Sequence, residues 1–190
     1  VKRGPFGVQI SSQKSDFEYF DHVVFATHSD DTLKMLVDAD HSESKALDAI
    51  KYQSNQAVLH HDESVMPKSK NCWASWVYTE NNKRSLGPIG LTYWMNSLQP
   101  IPEADPMFVT LNSKNKIDPY KIYDEVTFRH PVYDLPALEA QKDLAENNGQ
   151  RNTWFCGAWM KNGFHEDGLA SALDVVDKFS DRISVKIAAQ

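Results

Sequence analysis

The stretch Trp154-Phe155-Cys156-Gly157-Ala158-Trp159-Met160-Lys161-Asn162-Gly163-Phe164-His165-Glu166-Asp167-Gly168-Leu169 sets three glycines between a short apolar run and an amphipathic segment that continues to Ser180. Gly157, Gly163 and Gly168 let the backbone approach a bulky partner closely, because no Cβ stands in the way. A helix that starts at the end of such a turn presents free N–H groups and a partial positive charge, which suit a pyrophosphate or another electron-rich ligand. Glu166 and Asp167 fall in the first helical turn, where carboxylates repel an anion; they read either as capping groups or as acceptors for ligand hydroxyls. His165 stands in the same turn, as a proton donor or acceptor beside a ligand or simply as the first residue of the helix. The spacing alone leaves capping and ligand binding both open.

Other reactive residue types form weaker patterns. His60-His61-Asp62 with His28 or His130 is a conceivable ligand set, but adjacent histidines on a strand point to opposite faces and no His-x-x-x-His pair occurs, so no metal site is expected. The two cysteines, Cys72 and Cys156, form no CxxC, which argues against a disulfide scaffold and a zinc knuckle and points to a reducing, cytoplasmic setting. Cys156 lies in an apolar strand, the environment of an inert thiol. The 190 residues carry 20 Lys plus Arg against 26 Asp plus Glu, a net charge of −6 with the excess similar in both halves. No basic face is available for a nucleic-acid backbone. The longest wholly apolar run, Val23-Val24-Phe25-Ala26, is far short of the roughly 20 residues of a membrane helix, so no transmembrane segment is expected.

Positioning these residues requires a set of elements that the periodicity outlines. Phe6 to Ile10 and Phe17 to Phe20 read as a hairpin around a polar turn over Ser11 to Asp16. The run from His22 to Thr27 has the composition of a strand covered on both faces. It enters a helix in which Ser29 is the expected cap, Asp30 and Asp31 sit in the first turn, and Leu33, Leu36 and Val37 face inward. A second helix is expected over Ser42 to Ile50, capped by Ser42. Gln56–His60, Trp73–Thr79, Ile89–Asn96, Met107–Leu111 and Ile122–Phe128 are short β-rich segments that predict a largely antiparallel sheet. Alternation sends Trp73, Ser75, Val77 and Thr79 to one face and Ala74, Trp76 and Tyr78 to the other. Trp76, Tyr78, Tyr93 and Trp94 then read as core packing or as the wall of an apolar pocket. A helix follows Asp134, with Pro136 in its first turn; Thr153 to Cys156 is a short buried strand; and the last helix spans about His165 to Ser180, with Leu169, Ala172, Leu173, Val176 and Phe179 at helical spacing.

The segment Gly157-Ala158 followed by Gly163-Phe164-His165-Glu166-Asp167-Gly168-Leu169-Ala170-Ser171-Ala172 resembles the C-terminal flavin-contacting segment of FAD-dependent amine oxidases and phytoene-desaturase-like oxidoreductases, most closely the bacterial predicted NAD/FAD-binding proteins of that group. Asp21-His22-Val23-Val24-Phe25-Ala26-Thr27-His28-Ser29-Asp30 is similar to their strand-and-turn motif next to the cofactor. Asn55-Gln56-Ala57-Val58-Leu59-His60, Trp73-Ala74-Ser75-Trp76 and Leu91-Thr92-Tyr93-Trp94-Met95-Asn96 extend the likeness over nearly the whole chain.

The resemblance implies an α+β fold in which a mostly antiparallel substrate-domain sheet with helices accompanies the last strand and helix of an FAD-binding domain. Residues 1–35 would belong to the FAD-binding domain, 36–150 to the substrate-binding domain, and 151–190 to the C-terminal FAD-contacting strand and helix. Gly157, Ala158, Gly163, Glu166, Asp167, Gly168 and Leu169 would lie along the flavin and its ribityl-pyrophosphate arm, with Ala26 and Thr27 near the dinucleotide. At Ala158 the pattern departs, since many members place an acidic residue there. The eight glycines, at 4, 7, 87, 90, 149, 157, 163 and 168, form no GxGxxG, so the pyrophosphate-gripping βα unit is not in this sequence. A chain that begins at Val1 without that unit is expected to be the C-terminal portion of a longer flavoprotein, inactive by itself, without tight FAD binding, and acting in its parent on a small apolar or amine-type substrate. The alternative from another class is a noncatalytic α+β ligand-binding module with an apolar pocket.

Overall fold

The computed structural model describes residues 1–13, 16–79 and 90–188, with side chains given as far as residue 181. The chain is mixed α+β, with four helices and mostly antiparallel sheets among the described residues. Contacts divide it into two compact units, Val1–Tyr52 with Pro131–Gln190, and Gln53–His130.

In the first unit, β1 (Lys2–Gly4), β2 (Gly7–Ile10) and β3 (Glu18–Phe20) form a three-stranded antiparallel sheet. The expected hairpin is its β2–β3 half; β1 is an addition, and part of the expected turn lies outside the described residues. Next comes β4 (Val23–Phe25), which pairs in parallel with β10 (Thr153–Phe155). Around that pair pack α1 (Ser29–Met35), α2 (His41–Ala49) and α3 (Leu135–Asn147). They bury Leu36, Leu47, Ile50, Ala137, Ala140 and Leu144 against Phe25, Phe155 and Trp159. The long α4 (His165–Ala188) covers Trp154 and Cys156 with Val175, Ala172 and Phe179.

Several local expectations change here for identifiable reasons. Ser29 does not cap α1: it is the first helical residue, fully buried, and its hydroxyl accepts from Tyr52 Oη at 3.2 Å while its backbone N–H donates to that oxygen at 2.8 Å. Helix α2 is capped by Asp40 and not Ser42, through a capping box in which Asp40 accepts from Glu43 N at 2.9 Å and Glu43 accepts from Asp40 N at 3.0 Å. Val24 is 51% exposed, so β4 is covered on one face only. The apolar residues of α4 split between two faces: Ala172 and Phe179 pack with Val175, whereas Leu169, Leu173 and Val176 are exposed. Helix α3 follows Asp134 as expected, and Asp134 caps it, accepting from Ala137 N at 2.9 Å.

An ion cluster ties the first unit together. The Arg3 guanidinium, 1% exposed, pairs with Asp38 at 3.1 Å and with Glu43, and Arg151 adds a second cation at 3.0 Å from Asp38. These charges join β1, the α1–α2 connection, the start of α2 and the turn before β10, and the two carboxylates together compensate the buried Arg3.

The second unit is built on a five-stranded antiparallel sheet in the order β6-β7-β8-β5-β9, from β5 (Lys51–His60), β6 (Trp76–Thr79), β7 (Gly90–Trp94), β8 (Phe108–Leu111) and β9 (Ile122–Val132). Strand β6 begins three residues later than expected because Lys70–Cys72 is a short 3-10 turn, and Ile89 lies outside the described residues. One face packs Val58 and Phe108 under Val65, Met66 and Ile117. A polar line runs through it: Thr92 Oγ1 lies 2.9 Å from Thr110 Oγ1, which lies 2.7 Å from His60 Nε2, and Asp62 N donates to His60 Nδ1 at 3.1 Å. Asp62, 2% exposed, accepts from Asp118 N, Ser64 N and Lys121 Nζ. His60 and Asp62 of the His60-His61-Asp62 triplet are therefore turned to internal structure.

Burial pushes the His60 imidazole below its ordinary range, outweighing the nearby Asp62 charge. Burial of Asp62 acts to raise its carboxyl, yet the Asp118 and Ser64 N–H groups and Lys121 hold it well below the usual carboxylate range. In both groups the unfolded chain takes up its proton at a higher pH than the folded one, so stability rises with pH across each window. Urea midpoints should be flat between about pH 7 and 8, fall as pH drops through about 6.5, and fall again below about 3.9. In His60→Gln the first of these declines should be lost.

Candidate functional site

Strands β4 and β10 run in parallel with Val23 opposite Thr153, Val24 opposite Trp154 and Phe25 opposite Phe155, and Cys156 N extends the ladder to Phe25 O at 2.9 Å. Parallel neighbours end at the same edge. Ligands of α/β sheets bind beyond such carboxyl ends, where successive loops leave an open crevice. Ala26 and Thr27 leave β4 there, exposed, and Gly157 and Ala158 leave β10 beside them. Trp159 Nε1 donates to Thr27 O at 2.9 Å and locks the two exits together, while Thr27 Oγ1 meets Thr32 Oγ1 at 2.8 Å.

The turn between β10 and α4 is held from within. Gly157 N donates to Ser171 Oγ at 2.8 Å, and Ser171 Oγ donates to Gly168 O at 2.8 Å. Gln141 Nε2 donates to Trp159 O at 2.8 Å and Lys161 O at 2.6 Å. Gly157 has φ 141°, and a Cβ there would stand 2.8 Å from Trp159 Nε1. Gly163 has φ 94°, and its Cβ would stand 2.6 Å from Tyr133 Oη. Both positions thus combine a backbone that favours glycine with a neighbour that a side chain would strike. Gly168 is different: a Cβ would meet only Ala158, at ordinary contact distance.

Asp167 Oδ2 accepts from Phe164 N at 2.9 Å, so this carboxylate closes the start of α4. That matches the capping option of the two the spacing left open. His165, Glu166 and Leu169 are exposed on the same first turns. The Tyr133 hydroxyl is buried without a hydrogen-bond partner among the described residues. Burial first, then the nearby Asp167 charge and Tyr52, push its pKa up to about 12, so it stays a neutral donor. Tyr133, Gln141 and the bonding role of Ser171 were not visible in the sequence, because each acts through a contact that only the fold creates.

These features fit the neutral and polyhydroxylated parts of a flavin dinucleotide: glycine-walled strand ends, an orphaned hydroxyl and the exposed Glu166 as an acceptor. Two carboxylates in the first turn of α4 make the same spot poor for phosphate. His28, Asp30 and Asp31 bring ligand atoms within 4.8 Å of one another, but Lys34 Nζ lies 3.4 Å from Asp30 and 2.9 Å from Asp31 and supplies the cation itself.

In the second unit, Trp76, Tyr78 and Tyr93 share one face of the sheet. Trp76 and Tyr93 are cross-strand partners with ring centroids 5.9 Å apart, and Trp76 and Tyr78 are exposed. Trp94 faces the other way and packs edge-on to Trp73 at 5.3 Å beside Phe108, inside the core.

No family model and no curated protein matches this sequence. Among solved structures, the chain is similar to the crystal structure of a CLA-producing fatty acid isomerase from P. acnes, with a TM-score of 0.63 at 17% identity. The match covers 94% of this chain and 46% of the isomerase, so the chain spans about half of that protein's length and the likeness is one of fold.

An orphaned hydroxyl weakens the empty protein. Tyr133→Phe should raise folding stability by about 1 kcal/mol in urea titrations, whereas Gly163→Ala should lower it through strain at positive φ and the collision with Tyr133. A loss of stability in Tyr133→Phe would mean that the hydroxyl has a partner within the chain.

Proposed function

We propose that this chain is the C-terminal portion of an FAD-dependent oxidoreductase of the amine oxidase or desaturase type, completing the flavin site and forming the substrate pocket. The observation that carries this reading is the pair of parallel strand ends, where Ala26-Thr27 and Gly157-Ala158 emerge side by side at the start of α4. The family resemblance of the sequence and the fold shared with a fatty acid isomerase support it.

When bound, FAD supplies the hydride acceptor for a C–H bond next to nitrogen or in an unsaturated chain. The work of this chain is to orient it and keep water away. Gly157, Ala158, Gly163 and Gly168 lie along the flavin and its ribityl arm in this reading, and Ala26, Thr27 and the exposed Leu169 flank them. Glu166 accepts from ligand hydroxyls and Tyr133 donates. Asp167 serves the ligand indirectly, by fixing the turn. His165 is the nearest imidazole to this turn along the chain and the candidate for moving a proton there. Residues 1–35 and 151–190 supply these contacts together with Tyr133, and the rest of residues 36–150 the substrate side. Trp76, Tyr78 and Tyr93 form an apolar wall, which favours the apolar option over a small amine. No helix among the described residues is long and apolar enough to cross a membrane.

The test is an absorbance spectrum of the longest natural chain that contains this sequence. Flavin bands in the visible, present on purification or after adding FAD, are expected; their absence under both conditions contradicts the reading. The 190-residue chain alone should bind FAD weakly, and a submicromolar dissociation constant by calorimetry would show that the site is complete without further residues.

A further inference from the structure

A chain of amide groups in the second unit fixes the protonation pattern of one exposed histidine. Its anchor is a backbone N–H, which can only donate: Gln56 N donates to the Asn112 side chain at 3.2 Å, so that atom is Oδ1. Asn112 Nδ2 must then be the atom 2.8 Å from Asn55, and Asn55 must turn its carbonyl oxygen toward it. Gln53 Nε2 donates to the same oxygen at 3.1 Å. Asn55, 9% exposed, is left with its NH₂ group 2.9 Å from His130 Nδ1. Nδ1 therefore accepts, and the neutral imidazole carries its proton on Nε2.

Asn112 is locked as well, at φ 47° with its own N–H on Gln56 O at 2.9 Å. This arrangement aims a donor outward. His130 is exposed, and among the described residues its Nε2 has no hydrogen-bond partner.

His130 stands at the border of an apolar face. Its ring contacts Phe128, 50% exposed, at 6.2 Å, and alternation puts Val126 on the same side. Asn55 shares its face with Ala57, and the register aligns Ala57, Leu111, Leu91 and Tyr78 in one row across β5, β8, β7 and β6. With β9 outside β5, five strands at 4.7–4.9 Å spacing give a face about 19 Å wide, and the fixed N–H stands at its β9 border, beside Asn55.

We propose that His130 Nε2–H binds an acceptor oxygen, of a carboxylate or a carbonyl, at the end of a long apolar substrate laid across this face, with Asn55 as its positioning residue. The inference rests on the substrate-wall reading above and narrows it. An ammonium offers only donors and cannot face a fixed N–H; a carboxylate or ester oxygen can. Of the two substrate classes, apolar and amine-type, the tautomer selects an oxygen-terminated apolar chain.

The experiment uses the 190-residue chain labelled with ¹⁵N. Long-range ¹H–¹⁵N spectra should give His130 with Nε2 protonated and Nδ1 bare. Titration with monomeric oleate, methyl oleate and oleylamine should move the His130 signals for the first two and not for the amine. His130→Phe should weaken oleate binding about tenfold or more, the loss of one hydrogen bond to a charged group. Asn55→Asp, whose carboxylate accepts a hydrogen bond from Nδ1–H, should switch the tautomer and weaken oleate alike; Asn112→Ala serves the same purpose if Asn55→Asp fails to fold. A His130 protonated on Nδ1, or equal binding of oleate by the wild type and His130→Phe, overturns the inference while leaving the apolar wall in place. Failure of all three lipids to bind overturns the wall and the inference together, and neither result bears on FAD.

Discussion

The pairing of β4 with β10 is the contact on which the rest of the first unit depends. Three residues on each side, far apart in the chain, must find one register, and a parallel ladder requires a long crossover between its strands. Here the crossover contains the entire second unit, so the two strand ends meet only when α1, α2 and α3 have packed around them. So short a ladder makes few hydrogen bonds. Burial of Phe25 and Phe155, stacked at 5.9 Å, against Leu47, Ile50 and Leu144 supplies most of its stability, and the Trp159–Thr27 bond sets the spacing of the exits. Ala26, Thr27, Gly157 and Ala158 are neighbours because of that pairing.

Local chemistry was legible in the sequence wherever one segment decides the outcome. The apolar run at Val23, the glycines before α4, the helix start after Asp134 and the alternation of Trp76 with Val77 all persist in the fold, because each follows from backbone geometry within a few residues. Ser29 and Ser42 are good capping types in the wrong places. Asp40 reaches its helix with a capping box, and Ser29 is drawn into a buried hydrogen bond with Tyr52, a preference no local rule contains. Trp94 reads as part of an aromatic wall until the register opposite Phe108 sends it to the core face. The turn-holding bonds of Gln141, and Tyr133 against Gly163, span separate elements and leave no pattern in one segment.

The two units use polar groups in contrasting ways. In the second unit, His60, Thr92, Thr110 and Asp62 satisfy one another inside the core, and the Gln53-Asn55-Asn112 amides do the same around one edge until the series ends at His130. In the first unit the hydroxyl of Tyr133 ends with no partner. The donor that ends the amide series is open to solvent, whereas the Tyr133 hydroxyl is buried with no partner among the described residues.

The central claim is that the ends of β4 and β10 form one ligand site with the start of α4. It is tested most directly by titrating FAD at millimolar concentration into ¹⁵N-labelled protein and mapping the amide shifts. The account predicts that the largest shifts fall together on Ala26, Thr27, Gly157, Ala158 and the residues from Gly163 to Leu169. Shifts confined to other parts of the chain, or none at all, would contradict it.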